Sequence, residues 1–100
     1  MILYNVTVGI DADVEQEWLI WMIHEHVPKV MDTEMFESYE IYKVLSHDAE
    51  GSSYSVQYKT TTMDRFDEYI NNYAPVLIKE HMDRYKDKHV AFRTLLQKVG

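Results

Sequence analysis

The spacing of apolar residues switches repeatedly along this chain, and the order of the switches restricts the fold more than any single residue does. From Ile2 to Ile10 the side chains alternate, with Ile2, Tyr4, Val6, Val8 and Ile10 on one side and Asn5, Thr7 and Gly9 on the other. That is the period of a strand. Asp11 to Asp13 turns the chain and the period becomes helical: Val14, Trp18, Leu19, Trp21, Met22 and His26 share one arc at about 100° per residue, with Gln16, Glu17 and His24 opposite. Asp13 followed by Gln16 reads as a capping box. Pro28, which lacks a donor and disfavours helical geometry at Val27, should close the helix there.

β character resumes over Met35 to Leu45 through Tyr39, Ile41, Tyr42, Val44 and Leu45, its imperfect alternation pointing to a bulge or to cover on both faces. His47 to Ser52 concentrates turn formers, with Gly51 suited to a positive φ, and predicts a hairpin. Ser53 to Thr61 then alternates cleanly, Tyr54, Val56 and Tyr58 against Ser53, Ser55, Gln57 and Lys59. From Met63 the stripe Phe66, Tyr69, Ile70, Tyr73, Ala74 and Leu77 is helical, Pro75 should kink or restart it, and His81 stays near its apolar side. His89 to Val99 is a last strand, Val90, Phe92, Thr94 and Leu96 against Ala91, Arg93, Leu95 and Gln97.

The order is therefore β-α-β-β-α-β, an α+β, ferredoxin-like split unit forming one domain over residues 1–100. Right-handed crossovers place both helices on one face of a four-stranded antiparallel sheet, in the spatial order 4-1-3-2. The reverse face, to which Asn5, Thr7, Gly9, Ala91, Arg93 and Leu95 are assigned, is then uncovered and partly apolar. A second copy stacked on it would bury it, giving a homodimer through the open sheet face, a dimeric α/β barrel.

Composition removes whole classes of function. Apolar residues make up 46% of the 100 residues and aromatics 13%, eight of them tyrosine, which excludes a disordered chain. The formal charge of −7 argues against nucleic acid, whose phosphates need clustered Lys and Arg. In the one base-rich run, Lys79 to Lys88, Glu80, Asp83 and Asp87 intervene, as on a solvated helix face. The absence of cysteine removes disulfides, thiolate metal sites and a Cys nucleophile. With no apolar run near the ~18 residues of a membrane span and no basic, then apolar leader, a soluble cytoplasmic protein is expected.

Chemistry-bearing motifs are few. His24 and His26 diverge by about 200° on a helix and cannot share an ion, and neither HExxH nor Cys-pair spacing occurs, so no metal is expected. No glycine-rich phosphate loop and no Gly-x-Ser-x-Gly elbow exist, and no cofactor is expected. His26, on the inward arc, is the candidate catalytic residue, a general acid or base; the alternative is a histidine hydrogen-bonded within the core. His81 either faces the same interior or sits at a helix edge. Trp18, Trp21 and Met22 wall a ligand pocket or anchor the core. Tyr58, like Tyr4 and Tyr54, either offers its hydroxyl to a ligand or keeps it in water. Arg93 binds a carboxylate ligand or makes an ion pair across the dimer.

The segments NVTVGID (Asn5 to Asp11), EWLIWMIHEHVPKV (Glu17 to Val30), YSVQY (Tyr54 to Tyr58), YAPVLIKEH (Tyr73 to His81) and VAFRTLL (Val90 to Leu96) together resemble a small bacterial domain-of-unknown-function family of about this length. The resemblance spans nearly the whole chain and implies the ferredoxin-like fold with no established activity. A more distant likeness is to the dimeric α/β barrel proteins, among them cofactor-independent monooxygenases, haem-degrading enzymes, dehalogenases and stress-response proteins. In several of these an aromatic-rich first helix ends in His and Pro, as His26 and Pro28 do here. Three functions follow as expectations: binding of a small apolar or aromatic ligand between helices and sheet, a cofactor-independent monooxygenase or isomerase of a small cyclic substrate using His26, and a protein-interaction module.

Overall fold

In the computed structural model, which describes residues 1–45 and 52–100, the alternation of the first segment becomes strand β1 (Ile2–Ile10). Its apolar side, Ile2, Tyr4, Val8 and Ile10, is buried. β1 pairs antiparallel with β3 (Ser52–Thr60) on one side and β4 (His89–Gln97) on the other, and β2 (Ser38–Lys43) pairs with β3. The resulting order, β2-β3-β1-β4, is the 4-1-3-2 arrangement expected of the split unit. Tyr54, Val56 and Tyr58 of β3 lie opposite Val8, Val6 and Tyr4 and share their face. Trp18, Trp21, Met22, Val27, Val30, Tyr69, Ala74, Leu77 and Tyr85 close over that face as one core. Burying residues such as Val8 and Val56, each 1% exposed, contributes about 1.5–3 kcal/mol apiece.

The first helical segment differs from expectation at both ends. A 3₁₀ turn (Ala12–Val14) precedes α1 (Glu15–Trp21), and no side chain caps either start. Asp13 makes no capping box; its carboxylate accepts from Lys88 Nζ at 2.8 Å, an ion pair that reaches the other end of the chain. Nor does the helix end at Pro28. It widens to a π turn over Met22–His26 and continues as α2 (Val27–Met31), with Pro28 in the first turn of α2. A proline needs relief for the carbonyl four residues back and supplies no N–H. The wide turn just before it accommodates both, with Val27 N–H bonding to Met22 O.

Pro75 has the restarting effect. α3 (Met63–Asn72) is capped by Thr62, whose hydroxyl accepts from Arg65 N–H, and after a break at Tyr73 α4 runs Ala74–Arg84. β2 is shorter than the Met35 to Leu45 expected and pairs with β3 in unbroken register, so no bulge distorts it. The hairpin predicted at His47 to Ser52, with Gly51, lies outside the described residues except for Ser52, which opens β3.

Register also corrects a face assignment. Ala91, Arg93 and Leu95 lie opposite Val8, Val6 and Tyr4 of β1, so they belong to the helix-covered side. The open face carries Val90, Phe92, Thr94 and Leu96 beside Gly9, Thr7, Asn5 and Leu3. At its centre Ser55 Oγ donates to Asn5 Oδ1 (2.5 Å) and Asn5 Nδ2 to Thr7 Oγ1 (3.1 Å). Its β4 flank is apolar and uncovered, with Val90 71%, Phe92 61% and Leu96 45% exposed. Among the described residues no helix is long and apolar enough to cross a membrane.

Candidate functional site

Between the sheet and the helical layer lies a cavity of about 30 Å3 lined from β1, β3, the π turn, α3, α4 and β4. That is room for one or two waters. Tyr4, Tyr58 and Tyr69, with Val8, Val56 and Leu77, form its walls, and His26, His81 and Arg93 add nitrogen groups to the tyrosine hydroxyls. Of the residues singled out from sequence, Met22, Tyr58, His26, His81 and Arg93 meet here, brought together from four different elements.

Trp18 and Trp21 do not line this cavity; they back the two histidines. Trp18 is 0% exposed, and its indole N–H donates to His81 Nε2 at 3.0 Å. An indole nitrogen only donates, so His81 Nε2 must be the bare nitrogen and the ring proton sits on Nδ1. Trp21 stacks on the His26 ring at 5.0 Å between centroids, and the Arg84 guanidinium lies over the Trp21 ring at 5.3 Å from its centroid. The wide π turn delivers His26 to this place, inward, while His24 stays exposed.

The two imidazoles lie 5.7 Å apart, and His81 lies 4.7 Å from His89, whose Nδ1 is 2.7 Å from the Tyr85 carbonyl and donates to it. Burial pushes His26 down from 6.5 to about 4, Glu80 opposing and Lys29 and Arg93 adding to the fall. Burial likewise pushes His81 down to about 3, helped by the positive charge that His26, His89 and Arg93 can present. Both rings are therefore neutral at pH 7. His26 is 9% exposed and its Nδ1 is buried without a hydrogen-bond partner among the described residues. Such an atom costs about 1–3 kcal/mol unless something pairs with it.

Among the described residues Arg93 is the cavity's one charged side chain. It lies towards the edge strand and is exposed, and among the described residues no carboxylate comes within 4.0 Å of it. Its charge is felt at Tyr4, whose phenol burial raises and the guanidinium partly restores, and at Tyr69, raised by burial in the same way. Tyr58 is also raised well above its ordinary value, again by burial, so all three phenols are protonated at neutral pH. Tyr69 was not among the sequence candidates. The signal for it was present, since it lies mid-stripe on its helix, but a stripe does not say which member meets a histidine from another element. Among the described residues no cluster of three His, Asp or Glu is placed to hold a metal.

Comparison with known proteins places this arrangement. HapK from Hahella chejuensis superposes over 100% of this chain and 94% of its own with a TM-score of 0.73 at 13% identity. A dimeric ferredoxin-like protein from an uncultured marine organism superposes over 100% of this chain and 96% of its own at 0.70 and 13% identity. Hydroxynitrile lyase from Passiflora edulis superposes over 99% of this chain and 96% of its own at 0.65 and 8% identity. At these identities the likeness shows the fold alone, which is ferredoxin-like. No curated protein matches the chain in sequence. The model of the domain of unknown function DUF4286 matches residues 1–99, and the chain belongs to that family.

Proposed function

We propose that the protein is a homodimeric binding domain whose cavity between helices and sheet takes a small molecule with an apolar or aromatic body. The observation that carries this reading is His26 Nδ1, buried, unpaired and beside a cavity that also presents His81 and Arg93. A core histidine with no ligand to meet would be expected to hydrogen-bond within the protein, as His81 does to Trp18. Tyr4, Tyr58 and Tyr69 supply apolar ring surface with hydroxyl donors, the usual make-up of a small-molecule site. The present volume admits only a head group, so a larger ligand enters by displacing the Met22 side chain, which is unbranched and flexible.

Binding is favoured over a monooxygenase or isomerase reaction. A general base works best with a pKa near the working pH, and an imidazole at about 4 is a weak base at neutrality. The second copy belongs on the open sheet face, where Val90, Phe92 and Leu96 form an exposed apolar strip along edge strand β4. The superposable marine protein, itself dimeric, supports that assembly.

The test is a fragment screen read by protein NMR. Compounds that move the ring resonances of Tyr58, Tyr69 and His26 together are expected, and His26→Asn, which keeps a polar group of lower volume, should weaken them. A screen in which hits cluster elsewhere, or in which His26→Asn binds the cavity ligands unchanged, refutes the assignment.

A further inference from the structure

We propose that the ligand's head group is a carboxylate, so that the cavity serves small monocarboxylic acids, held by Arg93 and by ring N–H groups of His26 and His81. This rests on the ligand-binding reading above and narrows it to one chemical class. In a chain with 17 acidic and 10 basic residues, the cavity has a guanidinium on its wall and, among the described residues, no Asp or Glu. Glu80, the carboxylate whose charge reaches His26, is occupied by Lys29 Nζ at 3.0 and 3.2 Å from its two oxygens. Arg93 therefore faces the cavity within reach of the neutral Tyr4 hydroxyl but paired with no carboxylate among the described residues, and a guanidinium's paired donors match a carboxylate's two oxygens.

The histidines fit the same partner. Trp18 occupies His81 Nε2 and leaves Nδ1–H as that ring's donor. His26 Nδ1 has no partner among the described residues, and an adjacent anion would favour a proton on it. A carboxylate offers about four lone-pair sites, enough for the guanidinium and both rings, whereas a neutral amide offers those donors one oxygen and no charge to match the guanidinium. The volume, about 30 Å3, suits a head of this size, with the acid's body directed past Arg93 to the β4 edge, where that side chain is exposed.

The experiment titrates the intact protein with sodium benzoate and with benzamide, a neutral isostere, following His26, His81 and Arg93 side-chain resonances. Benzoate is expected to bind at least about tenfold more tightly than benzamide. Arg93→Gln, at an exposed position with no ion pair among the described residues, should leave the fold intact and abolish the preference. Equal binding of the two compounds overturns the carboxylate while leaving the ligand site standing. Absence of any cavity response to either compound overturns both. A preference that survives Arg93→Gln overturns the role given to Arg93.

Discussion

Two buried neutral imidazoles should make the domain lose stability in mildly acidic solution, before its carboxylates begin to titrate. In the unfolded chain both His26 and His81 titrate near 6.5, while in the folded protein they titrate near about 4 and about 3. Below pH 6.5 the unfolded state thus binds more protons than the folded one, and unfolding free energy falls as pH falls. A tenfold change in proton affinity is worth about 1.4 kcal/mol, so at pH 5 each histidine withdraws about 2 kcal/mol and the pair about 4 kcal/mol. Against the roughly 5–15 kcal/mol of a domain this size, that is a large fraction. Groups near the pair act in opposite directions: Glu80 supports a charge on His26, whereas Lys29, Arg93 and His89 oppose a charge on one ring or the other. Asp13, Glu15 and Glu40, whose folded values are lowered by partners, lose their contributions only as pH drops through the carboxylate range. Urea unfolding monitored by tryptophan fluorescence at pH 7.5, 6 and 5 measures the slope, and His26→Leu should remove about half of it. A stability that stays flat from pH 7.5 to 5, or side-chain NMR titrations of both rings near 6.5, would refute the account.

Further outcomes follow from the same contacts. Trp18→Phe deletes the donor to His81 Nε2 and should cost about 1–3 kcal/mol in urea unfolding by leaving a buried acceptor unpaired; an unchanged His81 tautomer in the nitrogen spectrum would show that the indole does not fix it. Phe92→Glu, at a 61% exposed position on the open face, should leave the protomer folded and convert a sedimenting dimer to a monomer. A wild-type protein that sediments as a monomer at micromolar concentration removes the dimer altogether.

The fold was largely readable because its signals are local and cumulative. Alternation in Ile2 to Ile10 and Ser53 to Thr61, and the helical stripe through Tyr69 and Leu77, each repeat over enough residues to outweigh single exceptions. The misreadings were single-residue inferences. Pro28 reads as the end of a helix that a π turn carries past it, and Asp13 reads as a cap although Lys88, 75 positions away, holds it. Arg93 was placed on the wrong face because a strand's period separates two sides without naming which is covered. Only its pairing opposite Val6 decides that.

By itself the sequence determined which residues share a face within each element, since backbone geometry fixes those periods at 2 and 3.6 irrespective of what packs where. The inwardness of Trp18, Met22, His26 and Tyr58 follows from that. Tertiary structure alone decided that His26 from the π turn, His81 from α4 and Arg93 from an edge strand surround one small space, and that Trp18 takes one nitrogen of His81 while His26 keeps an unpaired one. The reason is distance along the chain: partners 63 and more residues apart, as Trp18 and His81 are, carry no mutual periodicity, and only the register of the sheet and the seating of the helices bring them within a hydrogen bond of each other.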